Sequence, residues 1–292
     1  MSGDRLQRLL FEELDVRGVA VSLDSVYREV LARSGYPSAV AGLIGEALLV
    51  VALLSSGIKF SGRISLQLRS EGPIRLLLAD CTDQGGMRAI AHFDEDAPGL
   101  AADQSFVDLV TGATLSLTLE PERAGRRWQG IVPVEGGSLA EAVTAYFGRS
   151  EQLPTRLKLA VSGQRAAALM VQKLPGEGED DDGWHRLGLL LDTLGENELL
   201  DNPPEVVLHR LFHEESRRLF EPRQLFFHCP CSRDRVARVL ISLGREELAD
   251  MLKERSPIEV RCEFCNQAYL FDAVDVEALE HGDVLDQDDT VH

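Results

Sequence analysis

Residues 39–54 read AVAGLIGEALLVVALL, an apolar run interrupted by one charge, Glu46. A membrane-spanning helix needs roughly 20 such residues, so this shorter run predicts a helix buried on most sides inside a folded domain. Ser55-Ser56-Gly57 stops it, and the pattern beyond changes period. Residues 62–69 (GRISLQLR) alternate apolar and polar positions, residues 74–79 and 87–91 are short apolar runs, and residues 114–119 (TLSLTL) alternate strictly. Turn residues separate them: Glu71-Gly72-Pro73, residues 83–86, Ala97-Pro98-Gly99 and Thr111-Gly112. This predicts a meander of antiparallel strands, joined by further strands over 128–133, 157–161 and 166–173. A helix is expected over 138–147, with Ser138 as N-cap and Glu141 three residues on. Upstream, residues 5–14 (RLQRLLFEEL) and 23–34 carry helix-like spacing. The first 175 residues thus read as one α+β domain.

At Leu174 the composition changes to Pro175-Gly176-Glu177-Gly178 and then to acids, which marks a domain boundary. The expected organisation is a core domain over 1–175, an acidic and helical linker over 176–225, and a small C-terminal module with an acidic tail over 226–292. Residues 184–200 and 205–215 read as the linker helices. The first of these is too rich in large apolar residues, including Trp184, Leu187, Leu190, Leu191 and Leu194, to be a free tether, so it must pack on something.

Lys and Arg number 30 against 48 Asp and Glu, for a formal charge of −18. Five acids fall in 177–182 and eight in 272–292, so most of the imbalance sits in the linker and the tail. A general nucleic-acid binder needs a basic surface to exchange for counterions, which argues against that class. The N-terminal residues mix acids and bases and lack the apolar core of a secretory signal, so the expectation is a cytoplasmic protein without a membrane segment. No G-x-x-x-x-G-K-[ST] loop is present, which fits an activity without ATP.

Four of the five cysteines lie in the last quarter, as Cys229-Pro230-Cys231 and Cys262-Glu263-Phe264-Cys265. Two such hooks brought together supply the four sulfurs of a tetrahedral structural Zn²⁺ site. The expected ligands are therefore Cys229, Cys231, Cys262 and Cys265, one Zn²⁺ per chain. Between the hooks, residues 232–243 and 245–254 read as helices and 258–260 as a strand delivering Cys262. A module this small is marginal without a staple, so it should fold with metal and largely unfold without it. The same spacing permits another chemistry: oxidation could pair Cys229 with Cys231 and Cys262 with Cys265 and eject the metal. Spacing alone leaves an inert zinc fold and a redox latch both open.

The segment HCPCSRDRVARVLISLGREELADMLKERSPIEVRCEFCNQAYLF, residues 228–271, resembles the switch module of the heat shock protein 33 family of redox-regulated chaperones. Arg210 to Glu215 with Phe220 to Phe227 looks like that family's lead-in. Gly45-Glu46, Lys59-Phe60-Ser61-Gly62, Trp128-Gln129-Gly130 and residues 146–156 (YFGRSEQLPTR) look like its fingerprints in the first domain. The resemblance spans nearly the whole chain. It implies an α+β first domain whose sheets enclose a helix, and a cytosolic, ATP-independent holdase, not an enzyme, that is inactive when reduced and zinc-bound. In that family, peroxide with heat, or hypochlorous acid, turns four thiolates into two disulfides, zinc leaves, and the module and linker unfold. Unfolded proteins would be the partners, with a homodimer forming on activation. Trp184, Leu187, Leu190, Leu191 and Leu194 are then candidates for binding clients, although an ordinary interdomain core would look the same. Cys81 has no role in the pattern and reads as a buried thiol.

Two other classes deserve comparison. A thiol-disulfide oxidoreductase would place C-x-x-C at a helix N-terminus to depress a thiol pKa, whereas here a strand precedes Cys262 and Glu259 and Glu263 flank it. A zinc-ribbon adaptor would use Arg233, Arg235, Arg238 and Arg245, but the acidic tail opposes it for nucleic acid. His228, His209 and His213 are weaker ligand candidates, since four cysteines fill a zinc shell and Arg210 stands where a zincin helix needs Glu.

Overall fold

A computed structural model describes residues 3–57, 61–97, 100, 104–122, 127–175 and 181–281. Lys59, Phe60, Pro98, Gly99 and most of the acidic run and tail lie outside the described residues. The chain divides into two compact units, Met1–His228 and Cys229–His292.

The first unit opens with strands β1 (Arg5–Phe11) and β2 (Val16–Leu23), then helices α1 (Ser25–Leu31) and α2 (Ser38–Ser55). Strands β3 (Gly62–Arg69), β4 (Ile74–Thr82) and β5 (Gly86–Phe93) follow. A short helix α3 (Phe106–Leu109) leads to β6 (Thr114–Pro121) and β7 (Trp128–Pro133). Helix α4 (Leu139–Tyr146) continues into a π turn, Phe147–Glu151, before the hairpin β8 (Thr155–Ser162) and β9 (Arg165–Lys173). Helices α5 (Asp181–Thr193), α6 (Glu196–Asp201) and α7 (Pro204–Phe212) come next, then the short strands β10 (Arg217–Leu219), β11 (Arg223–Gln224) and β12 (Phe226–Phe227).

Two sheets result. One runs β10-β1-β2-β9-β8 with β11 also on β1, and the other runs β12-β5-β4-β3-β6-β7. All pairings are antiparallel except β12 on β5. Helix α2 lies between them, packed on β2, β8 and β9 of one sheet and on β3, β4 and β5 of the other. This explains a helix that is apolar all round and passes for a membrane span by composition. Gly45 permits the close approach: a Cβ there would lie 2.9 Å from the Val161 side chain. The expected buried helix and the meander are both present, and Ser138 caps α4 by accepting from the Glu141 N–H at 3.2 Å.

The first sheet is covered on both faces, and here two sequence expectations fail. Leu6, Val19, Val21, Ala168 and Met170 face the α2 core. Leu9, Phe11, Val16, Ala20, Leu169 and Val171 face a second apolar cluster built with Leu187, Leu191, Leu194, Leu199, Val207, Leu208 and Phe212 from α5–α7 and the turn between them. A strand buried on both sides loses its apolar and polar alternation. Residues 5–14 therefore mimic helical spacing, yet form β1 and the turn after it, and β2 carries no period-two signal. The single helix expected over 184–200 is two, α5 and α6. Leu194 N–H closes α5 onto Leu191 O at 3.1 Å, and extended Gly195 starts α6, whose first turn holds Glu196 and Glu198.

The second unit contains α8 (Arg233–Leu243), α9 (Arg245–Glu254), the hairpin β13 (Ile258–Arg261) and β14 (Ala268–Phe271), and α10 (Ala273–His281). Its core is small: Val236, Ala237, Leu240, Leu248, Ile258, Phe271, Val276 and Leu279.

Candidate metal centre

Both hooks sit where short-range structure holds them. Cys229-Pro230-Cys231 leads into Ser232, which caps α8 by accepting from the Arg235 N–H at 3.3 Å. Cys262 to Cys265 form the turn of the β13–β14 hairpin. Cys262 N–H donates to Gln267 O at 3.0 Å, and Asn266 N–H donates to Cys262 O at 2.7 Å. Asn266 has φ 57°, the left-handed conformation that Asn tolerates better than most residues. Arg233, at the start of α8, fixes the hairpin to its neighbours: Nη1 donates to Leu270 O at 2.5 Å, Nη2 pairs with Asp275 at 2.8 Å, and the guanidinium lies 4.3 Å from the Phe271 ring centre.

These elements bring all four sulfurs within 4.8 Å of one another. Cys229 Sγ is 3.6 Å from Cys262 Sγ, and Cys231 Sγ is 3.2 Å from Cys265 Sγ. A tetrahedron with metal–sulfur bonds of about 2.3 Å has edges of about 3.8 Å, so the donor set fits a tetrahedral thiophilic ion with little adjustment. Thiolate donors favour zinc-like metals over hard cations.

The sulfurs are not equivalent. Burial opposes ionisation of Cys231, but the Tyr269 hydroxyl, donating to its Sγ at 3.2 Å, and the neighbouring thiols outweigh it and hold its pKa down to about 7. Cys265 is pushed the other way, by burial, by hydrogen bonding to Cys231 and Cys262, and by the charge of Cys229. No motif in the sequence marks Tyr269; its position on β14, opposite Val260 in the hairpin, brings its hydroxyl to the hook.

The other expected residues fall elsewhere. Leu187, Leu191 and Leu194 are buried beneath α5–α7, with Trp184 and Leu190 partly buried against the same cluster. Leu199, Val207, Leu208 and Phe212 share that burial. Phe212 meets Phe11 edge to face at 5.1 Å, and Arg186 of α5 forms a two-pronged ion pair with Glu215 at 2.6 and 3.1 Å. His228 sits by Gly86 and Phe226 in the first unit. The His209 and His213 rings pack on each other at 6.0 Å, and among the described residues only the four cysteines form a metal-ligating group. Cys81 is fully buried on β4, with its pKa pushed up to about 11 by that burial.

Comparison with known proteins agrees with this geometry. The family model described as Hsp33 protein matches residues 4–272. A 33 kDa chaperonin of Pseudomonas aeruginosa is 45% identical over 285 residues, covering 96% of this chain and 95% of that protein. One of Methylobacillus flagellatus is 42% identical over 279 residues, covering 94% of each. In fold, the chain matches the crystal structure of the 33 kDa chaperonin of Thermotoga maritima with a TM-score of 0.83 at 24% identity, over 97% of this chain and all of that one. With a family match over residues 4–272 and relatives of this identity, the chain belongs to the Hsp33 family.

Proposed function

We propose that this chain is a cytoplasmic, ATP-independent holdase chaperone, held inactive while its four cysteines are reduced and metal-bound and activated by their oxidation. The observation that carries the reading is the convergence of Cys229, Cys231, Cys262 and Cys265 within 4.8 Å in a unit whose core is eight mostly aliphatic side chains. Zn²⁺ is the proposed ion, and bound to four thiolates it supplies a cross-link whose apparent binding energy, about 10–16 kcal/mol in small zinc domains, is folding energy.

The chain's own residues supply the rest. Cys231, whose Sγ accepts a hydrogen bond from the Tyr269 hydroxyl at 3.2 Å that favours the thiolate, is the first candidate for attack on an oxidant. Each disulfide forms when two thiolates surrender two electrons to one hydrogen peroxide, which takes up two protons from solvent to become two waters, so two peroxides convert all four cysteines. We assign the bonds as Cys229–Cys231 and Cys262–Cys265. Pairing within each hook leaves the hooks separable, whereas bonds between them would staple the unit shut. With no donors left for a metal, so small a core should unfold.

The chain enters this unit from β11 and β12, which pair with β1 and β5. Loosening there would pass to α5–α7 along the backbone. Their undocking would expose Trp184, Leu187, Leu190, Leu191 and Leu194 together with the sheet face they cover, giving apolar surface to unfolded clients. A homodimer in the active state is part of the proposal, and the activity is binding, with no reaction catalysed.

The test is light scattering from a chemically unfolded client, with the protein either reduced and zinc-loaded or treated with peroxide at elevated temperature, and zinc release followed in the same samples. Suppression by the oxidised, zinc-depleted form alone supports the switch. Zinc retained under oxidant, or no protection by either form, sinks it.

A further inference from the structure

Several stretches that resemble family fingerprints lie far in sequence from the cysteines, and the proposed switch does not call on them. Trp128, and Tyr146 with Phe147 and Glu151, meet at one cavity of about 380 Å³ in the first unit. That volume falls in the range of small-molecule sites. Its walls are mainly apolar: Leu54 at the end of α2, Ile64 on β3, Leu117 and Leu119 on β6, Trp128 on β7, and Phe147. Two charged groups also line it, Arg17 from β2 and Glu151 from the π turn.

The two charges are provided for unequally. Glu151 accepts a hydrogen bond from the Tyr146 hydroxyl at 2.9 Å. Arg17 donates from Nε to Gln172 Oε1 at 3.0 Å, and among the described residues nothing accepts from Nη1 or Nη2 and no carboxylate pairs with them. The guanidinium is partly buried and its pKa is lowered by that burial. It lies over Gly57, where a Cβ would be 3.2 Å from Nη1, so the bare glycine leaves it room. The nearby C-terminus of α2 offsets part of its charge, about half a unit at most. Leu54 O accepts from Gly57 N–H at 3.1 Å, and among the described residues no carbonyl there takes a guanidinium proton. A fork of unused donors facing an apolar cavity suits a planar anion attached to an apolar group.

We infer that this cavity binds a small amphipathic carboxylate, its apolar part against Leu117, Leu119 and Trp128 and its carboxylate on the Arg17 guanidinium. Nothing in the redox proposal requires this site, and it stands or falls separately.

The probe is decanoate, added to the reduced full-length chain carrying Trp184→Phe so that Trp128 is the one remaining tryptophan. Decanol and decylammonium serve as comparisons, along with an N-acetylated apolar tripeptide with a free C-terminus. We expect saturable change in Trp128 emission with decanoate, and at least about tenfold weaker binding of decanol and decylammonium, because a charge-assisted hydrogen bond contributes about 1.5–3 kcal/mol. In Arg17→Gln the preference for decanoate over decanol should disappear. Equal binding of decanol, tighter binding of decylammonium, or no saturable signal overturns the inference. Tighter binding of the tripeptide overturns it too, by moving the occupant to a polypeptide end. If Arg17→Gln fails to fold, the ligand comparison on the parent chain still decides.

Discussion

Phe212→Ala tests whether α5–α7 act as a detachable cover. The Phe212 ring is fully buried and packs edge to face on Phe11 at 5.1 Å, at the centre of the cluster that joins α5–α7 to the first sheet. Removing a buried Phe side chain costs about 3–5 kcal/mol, including the cavity left behind. If the helices open as a unit, that whole cost falls on the opening equilibrium, and amide exchange in α5–α7 should accelerate by roughly 10²- to 5 × 10³-fold. Exchange in α2 and in β3–β6 should be nearly unchanged, since their core is the separate cluster around α2. Hydrogen exchange read by mass spectrometry on the reduced, zinc-loaded variant measures both. The same sample should suppress client scattering without oxidant. Equal loss of protection in α2 and α5–α7 would refute the reasoning, because the helices would then be an integral part of one cooperative core. So would a localised opening that brings no chaperone activity.

Chelating the metal from reduced protein should abolish exchange protection in α8, α9 and the β13–β14 hairpin while leaving β3–β6 protected; retained protection would mean that the second unit's core suffices without a staple. Tyr269→Phe removes the hydroxyl that donates to Cys231 Sγ and should weaken zinc affinity by roughly 10- to 100-fold in a chelator competition. Mass mapping after peroxide should find Cys229–Cys231 and Cys262–Cys265, and recovery of bonds between the hooks would contradict the proposed opening. Cys81, buried and with its pKa pushed up to about 11, should resist a thiol reagent until denaturant is added. Glu46 is raised to about 7 by burial and by Glu196. A carboxyl whose folded pKa exceeds its unfolded value stabilises the fold below the unfolded value, near 4.5, and loses that contribution as pH rises through about 7. The stability of the parent chain relative to Glu46→Gln should therefore fall by roughly 2–3 kcal/mol between pH 5 and 8 in denaturant titrations, and a flat difference would show that Glu46 is not held from solvent.

The parts of the fold legible in the sequence are those with one buried face or a complete local signature. β3 and β6 alternate because one side faces the apolar core around α2, and α8 and α4 begin at serines whose hydroxyls cap them. The two cysteine hooks declare a site because tetrahedral sulfur chemistry needs that spacing. Where both faces are buried, the pattern misleads. Leu6 points to the α2 core while Leu9 and Phe11 point under α5–α7, so β1 presents apolar residues at spacings that a helix would also use. Which side chain would reach back to the sulfurs was equally hidden, since Tyr269 is brought to Cys231 by hairpin register, with Val260 opposite Tyr269, and not by proximity in sequence.

That two-faced burial also explains why a cover can be detachable. The α2 face of the first sheet is continuous with the second sheet through α2 itself, so losing it would dissolve the domain. Among the described residues the other face meets α5–α7 and the turns around them, with Arg186–Glu215 tying α5 to the turn after α7. Removing those helices would expose a sheet whose strands remain hydrogen-bonded to their neighbours and whose opposite face remains packed. Under the proposed function such a surface would be apolar, wide and already ordered, and it would accept an unfolded chain without first ordering itself. A domain with one continuous core could not offer this, because exposing its apolar residues would mean unfolding it.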